Sequence, residues 1–261
     1  MKNIYLNTGT INEVFSDLKT SFGGVLNSNN NEFKLALDTD LIKGNIDAVT
    51  FINGITSIQV NMTFSDDVTL SMESLSASSI VFAYCTEGTF KHSFGISGHQ
   101  STLRKHLSNV VTSSRSINTI LHFKKDTSVQ FSIIKVETAA LTNTINDSLI
   151  SNVKKTFLDK RPNYTYQGIQ NLRVAEKFRQ LNAITEQGMV GHIMKKDIIQ
   201  SIVTIETDDN TDNIIRMSRA IKRSTLNQIN ELKNISGLIK QYTFDALYSK
   251  VINSKNRIFI K

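Results

Sequence analysis

From about Glu32 to Val136 the chain shows short apolar runs of period two, and this alternation limits the fold more than any other feature of the chain. Ser57-Ile58-Gln59-Val60-Asn61-Met62-Thr63-Phe64 alternates polar and apolar at each step, and Ser128-Val129-Gln130-Phe131-Ser132-Ile133 does so again. A period of two sends successive side chains to opposite faces of a strand, so each run has one apolar face to bury. Strands are expected at Phe33–Leu37, Asp47–Ile52, Ile55–Phe64, Val68–Met72, Ser79–Cys85, Thr89–Phe94, Asn109–Thr112, Thr119–Phe123 and Val129–Val136. Short strands at roughly ten-residue spacing predict a closed or nearly closed antiparallel architecture, a barrel or jelly roll. Glu87-Gly88 lies between two of them and reads as a hairpin turn, with Gly88 at positive φ. Such a barrel either encloses a small ligand or is filled by its own side chains, and the pattern suits both.

The flanks read differently. Ile11, Val14, Phe15 and Leu18 have helical spacing, and Asn27 to Asn31 (NSNNN) reads as a surface loop. After Glu137 the apolar period lengthens to that of a helix. Residues 139–158, Ile169–Asn182 and a helix from Gly188 to about Thr207 follow, with Pro162 marking a break. Asp208-Asp209-Asn210-Thr211-Asp212-Asn213 is polar and acidic and reads as a linker. Thr225–Gln241 carries Leu226, Ile229, Leu232, Ile235, Leu238 and Ile239 as one stripe. The expected organisation is α+β: a β-domain over 1–138, a helical linker and dimerisation region over 139–212, and a C-terminal helical domain over 213–261.

Charge separates these parts. The chain carries a net +7, but residues 1–140 hold 11 Lys+Arg against 12 Asp+Glu, whereas residues 214–261 hold 10 against 2. A basic end on a neutral body points to a polyanion partner at that end, or to a solvated lysine-rich helical surface. No run approaches the roughly 20 apolar residues of a membrane span, and the first residues lack the apolar core of a secretory signal. The single cysteine, Cys85, excludes an internal disulfide and suits a cytoplasmic protein.

Catalytic patterns are absent. The five histidines include no His-x-His pair and no His-Glu-x-x-His, so neither a metal site nor a cofactor is expected. There is no glycine-rich phosphate loop and no Gly-x-Ser-x-Gly. Cys85 lies in an apolar strand and reads as an inert core thiol. An enzyme is therefore not expected. Phe82, Tyr84, Phe90 and Phe94 on either side of Gly88 are either core aromatics or the lining of a ligand pocket, with Lys91 and His92 as its polar members.

The last twenty residues, Tyr242 to Lys261, read as two short helices around a tight turn. Thr243 caps the first, and Phe244, Leu247, Tyr248 and Val251 form its apolar face. Ser254 caps a second helix that opens Lys255, Asn256, Arg257 and turns Ile258 inward. A helix with a basic, amide-rich first turn is what a DNA major groove receives from a helix-turn-helix.

Several stretches resemble AraC-type transcriptional regulators of Bacteroidetes-like bacteria. Ile80 to Phe94 (IVFAYCTEGTFKHSF) is similar to the sensor-domain hairpin of that family, and Gln187-Gly188-Met189-Val190 to the opening of the helix after its barrel. Tyr242–Lys261 resembles the first helix-turn-helix of the AraC-type DNA-binding domain, with Thr225–Gln241 as its leading helix. The resemblance implies a cupin-like sensor domain, a homodimer, an optional small-molecule effector and sequence-specific binding to promoter DNA. It places Ser254, Lys255, Asn256, Arg257 and Lys261 at the DNA, and gives Phe82, Tyr84, Phe90 and His92 as effector-binding candidates. Ile252 stands where the family has a turn glycine. The family's second helix-turn-helix has no counterpart in these residues, so the resemblance implies a domain truncated within its helix-turn-helix region.

Overall fold

The structure, a computed structural model, describes residues 2–7, 9–29, 31–51, 54–73, 79–112, 118–138, 148–157, 165–167, 170–186 and 188–211. The chain divides into two compact units, Met1–Asn210 and Thr211–Lys261. The architecture below is that of the first. The expected helix Thr225–Gln241 and the helix-turn-helix Tyr242–Lys261 lie outside the described residues.

The fold is α+β, built on two sheets. The smaller contains β1 (Lys2–Leu6), β6 (Val68–Met72), β8 (Thr89–Phe94), β9 (Ser101–Arg104) and β11 (Thr119–Phe123), in the order β1-β6-β11-β8-β9. The larger contains β2 (Val25–Asn29), β3 (Glu32–Asp38), β4 (Ile42–Thr50), β5 (Ile55–Phe64), β7 (Ser79–Glu87), β10 (Ser108–Thr112), β12 (Ser128–Glu137) and β13 (Thr165–Gln167). Its order is β13-β10-β7-β12-β5-β4-β3-β2. Each sheet keeps its own edge strands, so the β-structure is a sandwich and not a closed barrel. Among the described residues one pair departs from the antiparallel rule: β1 runs parallel to β6, from Lys2 opposite Val68 to Leu6 opposite Met72.

The alternation does what the sequence requires of it. On β5, Val60, Met62 and Phe64 point between the sheets, against Val129 and Phe131 of β12 and Phe123 of β11. Aromatic rings fill this interior in a connected series. Phe22 lies 5.9 Å from Phe64, Phe64 5.2 Å from Phe123, Phe123 5.6 Å from Phe90, and Phe90 4.6 Å from Phe131. Burying each such side chain stabilises by roughly 1.5–3 kcal/mol. Helix α1 (Ile11–Phe22) adds Phe15, Leu18 and Phe22 to the same core. It starts at a capping box, in which Thr10 N–H donates to Glu13 Oε2 at 2.6 Å and Glu13 N–H to Thr10 Oγ1 at 3.5 Å.

The opposite face of the larger sheet is also covered. Helices α2 (Ser148–Phe157), α3 (Leu172–Asn182) and α4 (188–211) lie on it. Ile80, Phe82 and Tyr84 of β7 with Ile134 and Val136 of β12 form a second core with Val153, Phe157, Phe178, Ile202 and Val203. The segments read in sequence as a β-domain and a helical linker therefore share one core, and β13, between α2 and α3, extends the sheet itself. Among the described residues no helix is long and apolar enough to cross a membrane.

Several elements differ from their sequence expectation. The asparagine-rich stretch at 27–29 is the end of strand β2, an edge strand with every residue exposed except the half-buried Leu26, so no alternation marks it. Asp208 to Thr211 continue helix α4, and the division between the two units falls at its end. Gly88 has φ of +77°, as the turn reading requires, but it does not close a hairpin. Strand β7 already pairs with β10 on one side and β12 on the other. The chain after Gly88 instead crosses into the smaller sheet, where β8 pairs with β9 and β11.

Candidate functional site

That crossing separates the aromatic residues grouped by the sequence. Phe82 meets Phe157 edge-on at 5.5 Å, and Tyr84 stacks on Phe178 at 5.1 Å, both under the helices. Phe90 lies in the inter-sheet core. His92 faces the same way two residues on, buried, with its ring 4.8 Å from that of Phe94. Phe82 and Tyr84 thus belong to one core, and Phe90 and His92 sit between the sheets. Burial holds the His92 imidazole neutral, with its pKa pushed down to about 4, and the nearby His122 adds to this. Burial likewise pushes the Cys85 thiol up to about 11, and its Sγ lies 3.3 Å from the Glu87 carbonyl oxygen. Lys91 points outward from β8 into solvent.

The most unusual polar arrangement lies where α4 ends on the larger sheet. Glu206 is 3% exposed. Its Oε2 accepts from Ser108 Oγ of β10 at 3.2 Å, and its Oε1 has no hydrogen-bond partner among the described residues. Burial raises its pKa to about 7, with the charge of Asp209 acting in the same direction against the Ser108 hydrogen bond. Ser108 lies directly opposite Tyr84 in the β7–β10 pairing. The Tyr84 hydroxyl is pushed up to about 12, first by burial and then by the charge of Glu206. One turn beyond, Asn210 Nδ2 donates to the Glu206 carbonyl, and Asp209 accepts from Asn171 Nδ2 at 2.7 Å. Asn171 is the N-cap of α3 and turns its Oδ1 to Arg173 N–H and Val174 N–H at 3.2 and 3.3 Å. The C-terminal turn of α4 is therefore tied both to the sheet and to the start of α3.

Beside this seam α3 and α4 enclose an open cleft of about 660 Å³, lined by Arg173, Glu176, Lys177, Ser201, Thr204 and Asp208 among others. The other end of α4 is fastened to the sandwich. Lys195 Nζ lies 2.7 Å from Glu32 Oε1, both side chains only about a fifth exposed (19% and 22%), and His192 packs on Phe51 at 4.6 Å. Around the first of these anchors, over its opening turns, α4 presents Met189, Val190, Ile193 and Met194 to solvent, 40–80% exposed. Sequence periodicity marks Ile193, Met194, Ile198, Ile199, Ile202 and Ile205 as one inward face; the structure buries Ile199, Ile202 and Ile205 but leaves Ile193 and Met194 exposed. Glu206 follows Ile202 by four residues and Ile199 by seven, so that spacing is the signal that places it inside with them. The DNA-contact candidates Ser254, Lys255, Asn256, Arg257 and Lys261 lie outside the described residues.

No family model matches the sequence, and no curated protein matches it. Among solved structures, the chain is similar to the AraC-like transcriptional activator CuxR at 7% identity, over 64% of this chain and 55% of that one, with a TM-score of 0.43. It is similar to ToxT from Vibrio cholerae at 14% identity, over 60% and 58%, with a TM-score of 0.36. The cupin domain of an XRE family transcriptional regulator from Enterobacter cloacae is similar at 11% identity, over 35% of this chain and 95% of that domain, with a TM-score of 0.28. The chain spans little more than half the length of the first two.

Proposed function

We propose that this chain is a regulator of AraC type that works by binding rather than catalysis. Its basic C-terminal segment reads promoter DNA in the cytoplasm, and its α+β body receives a small-molecule effector and forms a homodimer. The observation that carries this reading is the segment 214–261, with 10 Lys+Arg against 2 Asp+Glu and the helix-turn-helix spacing that sets Lys255, Asn256 and Arg257 after the cap Ser254. Guanidinium and amide groups at the start of a recognition helix match guanine and adenine edges, and lysine matches phosphate.

The test is binding of the full chain to a selected duplex over a salt series. Counterion release predicts a steep linear fall of log affinity with log salt. Arg257→Ala is expected to cost about 1–3 kcal/mol on the preferred site and less on random DNA. A flat salt response, or equal losses on both duplexes, would reject the assignment.

The exposed stripe Met189, Val190, Ile193 and Met194 favours a second reading, a dimerisation module that does not bind DNA. It predicts a dimer that persists after deletion of residues 224–261 and dissociates on Ile193→Glu, with no duplex bound at low salt by the whole chain.

A further inference from the structure

The outer face of the five-stranded sheet carries a cleft of about 320 Å³ that none of the foregoing uses. Its floor is a row of polar side chains in register. Thr69 of β6 stands opposite His122 of β11, His122 opposite Lys91 of β8, and Lys91 opposite Thr102 of β9. The residues on either side, Val68, Leu70, Phe123 and Phe90, turn into the sandwich core, so strand alternation sends this row outward.

The hydrogen bonds along the row can run in one direction only. Lys91 Nζ lies 3.3 Å from Gln100 Oε1, and an ammonium has no acceptor, so the Gln100 oxygen must face it. The Gln100 amide nitrogen then faces His122 Nε2 at 3.5 Å as donor, which makes that ring nitrogen the acceptor. The ring hydrogen is therefore on Nδ1, which donates to Thr69 Oγ1 at 3.2 Å. Thr69 accepts, so its own hydroxyl hydrogen is turned elsewhere. A protonated imidazole would set two donors against each other at Gln100. The His122 pKa is lowered, first by burial and then by the charge of Lys91, which agrees with a neutral ring.

The consequence is a surface of donors: the ammonium groups of Lys91 and Lys124, the second amide hydrogen of Gln100 and the Thr69 hydroxyl. Asp67 is the one carboxylate among the lining residues, and its Oδ1 is taken by the Lys125 backbone N–H at 2.8 Å. We propose that this cleft binds a small oxyanion, a phosphate or carboxylate group, held by Lys91, Lys124 and Thr69, with Gln100 and His122 as positioning residues. The site is independent of the DNA-binding reading.

Histidine ring signals of the full chain, followed by NMR during titration with inorganic phosphate and separately with acetate at constant ionic strength, test this. The expected result is a saturable shift of His122 with at least one anion and a rise in its titration midpoint, because a bound anion favours the imidazolium. His192, on α4, is expected to stay unmoved. Lys91→Met removes a surface ammonium and is expected to weaken the response about tenfold or more, as for loss of a charge-assisted hydrogen bond. Thr69→Val is expected to weaken it less. Response to phosphate alone identifies a phosphate-bearing ligand, and response to both identifies a general oxyanion site. No saturable shift beyond a chloride control with either anion, or a shift that survives in both variants, would overturn the proposal.

Discussion

Ser108 and Glu206, 98 residues apart in sequence, meet at 3.2 Å where helix α4 ends on the large sheet. The hydroxyl of a β-strand residue is the one hydrogen-bond partner, among the described residues, of a carboxyl group removed almost wholly from water. A carboxyl in that setting ionises reluctantly, and stability follows its proton.

Because the folded-state pKa of Glu206 is raised to about 7 from an ordinary 4.5, the folded form holds the proton more tightly than the unfolded chain. Its contribution is full below about pH 4.5 and is lost as pH rises to about 7, on the order of 3 kcal/mol in all. Glu206→Gln is expected to remove this dependence. Chemical denaturation at pH 5 and pH 8 measures it: relative to the variant, the parent should lose stability between the two.

His92 acts with the opposite sign. Its pKa is pushed down to about 4 from 6.5, so its contribution is full above about pH 6.5 and is lost as pH falls towards 4. The size is again on the order of 3 kcal/mol. The two slopes overlap between about pH 4.5 and 6.5 and offset one another, so the parent should show a flat profile there. Glu206→Gln should expose a profile that rises with pH, and His92→Leu one that falls. Parallel profiles for the two variants would refute the pairing.

Tyr84 offers a test through removal of a single atom. Its hydroxyl is buried and has no hydrogen-bond partner among the described residues, while its ring stacks on Phe178. Tyr84→Phe keeps the ring and deletes the unmatched oxygen. It should raise the urea midpoint by the equivalent of about 1 kcal/mol at unchanged slope. A loss of more than that amount would show that the hydroxyl is satisfied.

At Gly88 the backbone takes φ of +77°, and an added Cβ would press on the Ser128 carbonyl oxygen. Gly88→Ala should destabilise by more than about 1 kcal/mol, through strain at positive φ and the close approach. A melting temperature equal to that of the parent would contradict the crossing described for this residue.

Much of the sandwich is legible in the sequence because most strands have a face in a core. Ser57–Phe64 alternates, and β5 spans Ile55–Phe64. Strand β2 is not legible, because an edge strand exposed on nearly every residue has no apolar face to display. Nor is the separation of Phe82 from Phe90. Alternation fixes which side chains share a face, but not which sheet receives the next strand, and that depends on β7 having both edges already paired. The polar sites are harder still. His122 stands alone in sequence; it acquires Thr69 and Lys91 through strand register and Gln100 from the residue just before β9. Glu206 falls on the inward stripe of α4 by its spacing from Ile199 and Ile202, but its partner Ser108 is 98 residues away and no local pattern announces it.

Strand β7 gives Ile80, Phe82 and Tyr84 to the helices and Cys85 to the interior of the sandwich. One extended run of backbone is thus a wall common to two cores. Peeling the helices away would bare the Ile80, Phe82 and Tyr84 side of β7 and weaken the strand on which the sandwich closes, so neither core can melt without loosening the strand that supports the other. Residues 1–210 are accordingly expected to unfold in one cooperative step, as a single thermal unit rather than a β-domain with a detachable helical annex.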